Sequence, residues 1–257
     1  MTYTNKEMQV VMIARQIKDG QRVIVGTGLP LIGASLAKRT YAPSCCLLVE
    51  SGMVDGKPVE APTSVADLRF SQGASTLGET FRYFGLQNNS LRKKMMDIGF
   101  LGGAQVDPYG NLNSTSIGDY HHPTARFSGS GGANGIATFV DTILMMQHQK
   151  RRFVEKVDYL TSPGWIDGPD GRAKKGLPAD RGPRAVITNL GLMRFDEETR
   201  RMYVAEYFPG VTTREIQDNT GFEIDVSRAV ESVPPEPECL EILRTQLDPD
   251  RVYIGKE

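Results

Sequence analysis

The chain has 257 residues, 39% hydrophobic and 24% charged, the make-up of an ordinary globular protein with a core of useful size. With 30 basic and 31 acidic residues the formal net charge is −1, which excludes a general electrostatic attraction to nucleic acid or to a membrane and leaves only a local basic patch open. No uncharged apolar run approaches the roughly 20 residues of a spanning helix, and the first residues, MTYTNKEMQV, lack a signal-peptide layout.

The first predicted element is a helix, in which Thr4 and Glu7 fit a capping box and Val10, Ile13, Ala14 and Ile17 recur on one face before Gly20. Arg22–Val25 (RVIV) reads as a short β-branched strand, followed by the glycine turn Gly26-Thr27-Gly28. A second helix runs from Pro30 towards Arg39, with proline at its start and Ile32, Leu36 and Ala37 inward. The apolar run 46–49 is the next strand, and strand, glycine turn, helix, strand makes a βαβ unit, hence a parallel sheet. Adjacent Cys45 and Cys46 are core thiols by position, and three cysteines with no framework to build suit a reducing cytoplasm.

Glu50, Ser51 and Gly52 follow this strand without a spacer, so a carboxylate stands where the chain leaves the core. It either solvates the strand end or touches a ligand. Gly26 and Gly28 supply G-x-G, and Glu50 lies near where a ribose-binding acid belongs, but position 31 is Leu31 and the next glycine is Gly33. The dinucleotide pattern therefore fails, and the glycines are better read as a tight backbone path close to another group.

The middle of the chain is rich in glycine and small polar residues. In Phe100–Asn113 (FLGGAQVDPYGNLN) an apolar approach ends in Gly102-Gly103-Ala104, where bare backbone N–H groups can hold a developing oxyanion; the other reading is a bulge or tight strand packing. His121 and His122 follow Asp119, but adjacent side chains point apart, His148 stands alone and no cluster with ligand spacing accompanies them, so no metal is expected. In SGSGG, Ser128–Gly132, the serine is out of frame for a nucleophile elbow. Gly129, Gly131 and Gly132 there form either an anion loop of free amides or a plain flexible loop.

Apolar runs continue at Thr142–Met146 and Phe153–Leu160. RAVITN and GLMRFDEETRRMYVAEYF read as strands, the second a hairpin turning at Asp196–Thr199. Val211–Asp218 and Glu236–Leu247 look helical, with SVPPEPE between them as a stiff, exposed connector. The fold expected is a single α/β domain over residues 1–257, an open, mostly parallel sheet flanked by helices with a more β-rich C-terminal part. A carboxylate at a strand end, a small-residue backbone patch and a glycine loop are together the parts needed to move an acyl group, the carboxylate serving as nucleophile.

The motifs VGTGLPLIGAS, VESG, GGAQVDPYGNLNSTSIGDYHHP, RFSGSGGANGIAT, MMQHQKRRF, DYLTSPGWIDGP and NTGFEIDVSRAVE resemble, in the same order, those of class I CoA-transferases of the glutaconate type, in their β subunits. The resemblance runs from Thr4 to the C-terminal helix and is weakest at Ser71–Asp97. It implies the CoA-transferase class I fold, with Glu50 as nucleophile and Gly102, Gly103 and Ala104, with Gln105 adjoining, as the backbone oxyanion site. It further implies that the loop Gly129, Ser130, Gly131, Gly132, Ala133, Asn134 and Gly135 contacts CoA, and that Gly26 and Gly28 lie near the active site.

By the same resemblance a separate α subunit completes the active site, and the substrates are CoA thioesters and a dicarboxylate, with no metal, nucleotide or other cofactor. CoA would pass from acetyl-CoA to glutaconate, or to a similar acid such as 2-hydroxyglutarate, through a glutamyl-CoA thioester on Glu50. The alternatives are a CoA-thioester hydrolase or decarboxylase of the same fold, or a non-catalytic metabolite-binding domain.

Overall fold

The computed structural model describes residues 2–58, 60–64, 67–79 and 95–255; residues 80–94, within the Ser71–Asp97 stretch, lie outside the described residues. The chain, read from sequence as one domain, gathers into two compact units, residues 1–100 with 233–257 and residues 101–232.

The first unit opens with α1 (Asn5–Arg15). The Thr4 hydroxyl accepts from the Glu7 amide at 3.2 Å, and the Glu7 carboxylate accepts from the Thr4 amide at 2.8 Å, which is the capping box. The helix ends short of its apolar repeat because the amides of Gln16 and Ile17 bond three residues back, to Ile13 and Ala14, tightening the last turn. β1 (Arg22–Ile24), α2 (Leu29–Arg39) and β2 (Cys46–Leu48) form the expected βαβ unit, with β1 and β2 parallel in the register Arg22↔Cys46 to Ile24↔Leu48. α1 and α2 approach closely at Gly33, where a Cβ would stand 2.4 Å from Ile13 Cγ2. The glycine that broke the dinucleotide pattern is thus a helix-packing residue.

β3 (Met53–Val54) and β4 (Thr76–Leu77) add antiparallel to β2, while β5 (Ile98–Gly102) pairs parallel to β1 through Val23↔Ile98 and Ile24↔Gly99. The C-terminal helical segment, Pro237–Ile242 continued by a π turn at Leu243–Leu247, brings Arg244 to α1. Arg244 donates to the wholly buried Glu7 carboxylate at 2.6 and 2.9 Å. Burial alone would raise the pKa of Glu7, but the Arg244 and Thr4 hydrogen bonds hold it below the usual carboxylate range.

In the second unit, β6 (Gln105–Val106) and β7 (Leu112–Asn113) make one short hairpin, and β8 (Ser116–Gly118) and β9 (Pro123–Arg126) another. α3 (Ala133–Phe139) leads into β10 (Asp141–Met145), which is parallel to β11 (Pro183–Ile187). β12 (Gly191–Phe195) and β13 (Met202–Tyr207) form the expected hairpin, its turn held by the Asp196 carboxylate accepting from the Glu198 and Thr199 amides, and β14 (Val230–Glu231) closes the order. The α/β class and the β-rich C-terminal part are as expected.

Phe153–Leu160 forms no regular element. Phe153 is fully buried there, and its carbonyl accepts from Gly221 at 2.7 Å. Arg172, 1% exposed, donates to five carbonyls, those of Ala137, Thr138, Pro163, Gly164 and Pro178, and burial pushes its pKa down to about 10. Among the described residues no helix is long and apolar enough to cross a membrane.

The Glu7–Arg244 pair generates a stability prediction. Glu7→Gln leaves a guanidinium with its partner charge gone and should destabilise the protein by about 3 kcal/mol, read as a lower urea midpoint at unchanged slope.

Candidate active site

In the first unit, Gly26, Gly28 and Glu50 leave the sheet at the carboxyl ends of the adjacent parallel strands β1 and β2, the edge of an α/β sheet where ligands bind. Gly28 has φ +90° and its carbonyl accepts from the Leu31 and Ile32 amides, starting α2. β2 ends in a tight turn in which Gly52 N–H donates to the Val49 carbonyl at 2.9 Å and Val49 N–H to the Met53 carbonyl at 3.1 Å. Glu50 is the second residue of this turn. Its carboxylate is half-buried and has no hydrogen-bond or ion-pair partner among the described residues. The Ser51 hydroxyl beside it is buried and also unpartnered.

Gly52 admits no other residue. Its φ is +94°, and a Cβ would stand 2.1 Å from the Gly78 carbonyl oxygen, while Gly78 N–H donates back to the Gly52 carbonyl at 2.7 Å. The turn that presents Glu50 is therefore fixed by backbone contacts alone.

In the second unit, Gly102 is the exposed last residue of β5 and Gly103 is half-buried against β7, where a Cβ would meet the Asn113 carbonyl oxygen at 3.0 Å. The Ala104 amide donates to that same carbonyl at 2.7 Å, so of the three expected donors it is already engaged. The Gly103 amide has no acceptor among the described residues. Gln105 is a strut: its Oε1 accepts from Asn113 Nδ2 at 2.7 Å and from the Asp158 amide at 3.0 Å, and its Nε2 donates to Asp158 at 3.0 Å.

The glycine loop is tied at both ends. Gly129 N–H donates to the Ser114 carbonyl and Ala133 N–H to the Ser130 carbonyl, while Asn134 Nδ2 donates to the Thr161 carbonyl at 2.8 Å. Between the ties, the amides of Gly131 and Gly132 have no acceptor among the described residues, and Gly131 is exposed with φ +50°. The sequence reading did not single out Ser51, Asn113, Thr161 or Arg152. A signal for Asn113 was the run GNLNSTS, polar side chains set among residues that are buried.

The histidines are structural. His121 and His122 are exposed, and their amides both donate to Asp119 Oδ1. His148 is buried, stacked on Phe153 at 4.1 Å between ring centroids, with its nitrogens 3.1 and 3.0 Å from the Thr188 and Thr220 hydroxyls. Burial pushes its pKa down to about 3. Among the described residues no group of three His, Cys, Asp or Glu side chains could hold a metal.

A model of the family described as Coenzyme A transferase matches residues 6–219. The chain belongs to the coenzyme A transferase family. Among the transferases it is 58% identical to the β subunit of glutaconate CoA-transferase of Acidaminococcus fermentans, over 98% of this chain and 95% of that one. It is 40% identical to the β subunit of 3-oxoadipate CoA-transferase of Pseudomonas knackmussii, over 94% and 92% of the two chains. The crystal structure of glutaconate coenzyme A-transferase from Acidaminococcus fermentans matches it with a TM-score of 0.96 at 56% identity, covering 100% of this chain and 99% of that one. The chain is thus a transferase of CoA and has the class I fold.

Gly52→Ala should displace the Glu50 turn and cost about 2 kcal/mol or more, with faster amide exchange at Met53 and Val54 and little CoA-transferase activity. His148 sets a pH dependence. The unfolded chain takes up a proton on His148 below about pH 6.5, which the folded chain accepts only near pH 3. Stability from His148 is therefore lost as pH falls across that window, and His148→Gln should give a shallower fall in unfolding midpoint between about pH 6.5 and 4.

Proposed function

We propose that this chain is the catalytic β subunit of a CoA-transferase that moves CoA from acetyl-CoA to glutaconate or a similar dicarboxylate, with Glu50 as the covalent nucleophile. The observation that carries the reading is the unpartnered Glu50 carboxylate on a turn that Gly52 makes rigid. A nucleophile held in place with its lone pairs free needs no rearrangement before attack. The identity to the β subunit of glutaconate CoA-transferase supports the substrate class and a separate α subunit as partner.

In this mechanism a Glu50 oxygen attacks the thioester carbonyl carbon, the C–S bond breaks, and CoA leaves as a thiolate, giving a mixed anhydride. The thiolate then attacks the Glu50 carbonyl carbon, expelling acetate and forming a glutamyl-CoA thioester. The acceptor carboxylate attacks that carbon in turn, and the same steps run in reverse to release the new thioester and restore the Glu50 carboxylate. One thioester is exchanged for another, so neither ATP nor a metal is called for.

Each tetrahedral intermediate carries an oxyanion, and the Gly102 and Gly103 amides are its proposed donors, a fixed donor of this kind being worth about 3 kcal/mol. The amides of Gly131 and Gly132 are proposed to face an anionic part of CoA. Water would hydrolyse both anhydride and thioester, so closure of the pocket is a requirement the α subunit is proposed to meet. Three unpaired thiols suit a cytoplasmic setting.

On the complex formed with the α subunit, Glu50→Ala should abolish CoA transfer from acetyl-CoA to glutaconate, and Glu50→Asp should lower kcat about 100-fold through displacement of the nucleophile. Peptide mass analysis after acetyl-CoA treatment should find CoA on the Glu50 peptide. Full activity in Glu50→Ala, or an adduct on another residue, would refute the assignment.

A further inference from the structure

Gly103 poses a mechanical problem. An oxyanion donor is useful only if it is held in place before charge develops, yet glycine is the residue whose backbone is freest. The peptide that follows Gly103 is pinned at both ends. Its N–H, on Ala104, donates to the Asn113 carbonyl at 2.7 Å, and its carbonyl, on Gly103, accepts from Arg152 Nη1 at 3.3 Å.

Arg152 is suited to the second task. Its own backbone is locked beside β6, the Arg152 carbonyl accepting from Val106 N–H at 2.7 Å and Val154 N–H donating to the Val106 carbonyl at 3.0 Å. The next residue, Phe153, is fully buried. Among the described residues no carboxylate pairs with the guanidinium, and its Nε is buried without any partner. An ordinary structural arginine at such a position would have a carboxylate or a full set of carbonyls, as Arg172 has. Arg152 instead has one weak bond, to the carbonyl of Gly103, and a charge that no described carboxylate neutralises.

We propose that Arg152 is a positioning residue for acyl transfer. Its guanidinium clamps the Gly103 carbonyl, so that the Gly103 amide stays aimed and free, and its unneutralised charge favours the negative species formed there. The inference rests on the reading of Gly103 as an oxyanion donor. Because the clamp acts on a group engaged mainly in the transition state, its loss should appear in kcat and not in KM.

The test compares wild type, Arg152→Gln and Arg152→Lys, each as the complex with the α subunit, by steady-state kinetics and by the rate of CoA adduct formation on Glu50. Arg152→Gln should lower kcat and the adduct rate about 100-fold at unchanged KM for acetyl-CoA. Arg152→Lys keeps the charge and a donor and should recover part of the loss. Should Arg152→Gln fail to assemble, Arg152→Lys decides, a lower kcat at constant KM supporting the clamp. Wild-type kcat in either variant, or a loss confined to KM, would overturn it. Absence of a Glu50 adduct in the wild type would instead overturn the transfer reading itself, whatever the Arg152 variants do.

Discussion

The constraint that shapes the second unit is that buried backbone groups must be paired where short strands leave many without a ladder. Side chains take over the role. Asn111 Oδ1 accepts from the Gly164 and Ile166 amides while its Nδ2 donates to the Ile166 carbonyl and to Asp107. Asn113 does the same for the Ser116 carbonyl and the Thr115 amide, and the Thr161 hydroxyl accepts from the Ser114 amide. Arg172 gathers five carbonyls from three separate segments. Because the pairing elsewhere is so complete, the unpaired amides at Gly103, Gly131 and Gly132 stand out as groups left for something else.

Buried charge is handled in three ways. Glu7 has a cationic partner at 2.6 Å, and the pair joins the two ends of the chain. Asp107 has only amide donors, from Tyr109 and Asn111, and burial raises its pKa to about 6. Arg172 has only carbonyls. In each, hydrogen bonds substitute for the water that burial removed. Glu50 and Arg152 follow none of these patterns, and that departure separates a group available for chemistry from one that holds the fold.

Local signals were legible in the sequence and long-range pairings were not. The Thr4–Glu7 capping box, the βαβ unit and the Asp196–Thr199 turn each depend on residues close together in the chain, and all three are found. The partnership of Glu7 with Arg244 joins opposite ends of the chain, so no periodicity could announce it. At the site, the Glu50 turn was visible because VESG is one contiguous piece. The engagement of the Ala104 amide was hidden, since it depends on how β7 returns against Gly103. Arg152 was hidden for a similar reason: in KRRF nothing distinguishes a solvated arginine from one whose guanidinium is turned inward.

The site glycines differ in why they are glycine. At Gly52 and Gly103 a side chain would strike a carbonyl oxygen of the chain itself. At Gly28 the backbone angle suffices as a reason. Gly26 has neither: no heavy atom lies within 4 Å of where its Cβ would be, and its φ is not in the left-handed region. It sits at the carboxyl end of β1, beside the strand that delivers Glu50. Glycine at that point lowers the stability of the chain through its unfolded state and relieves no internal clash. Under the proposed function the compensation is external, because a side chain at position 26 would occupy space along the strand-end edge from which an acyl-CoA must approach Glu50.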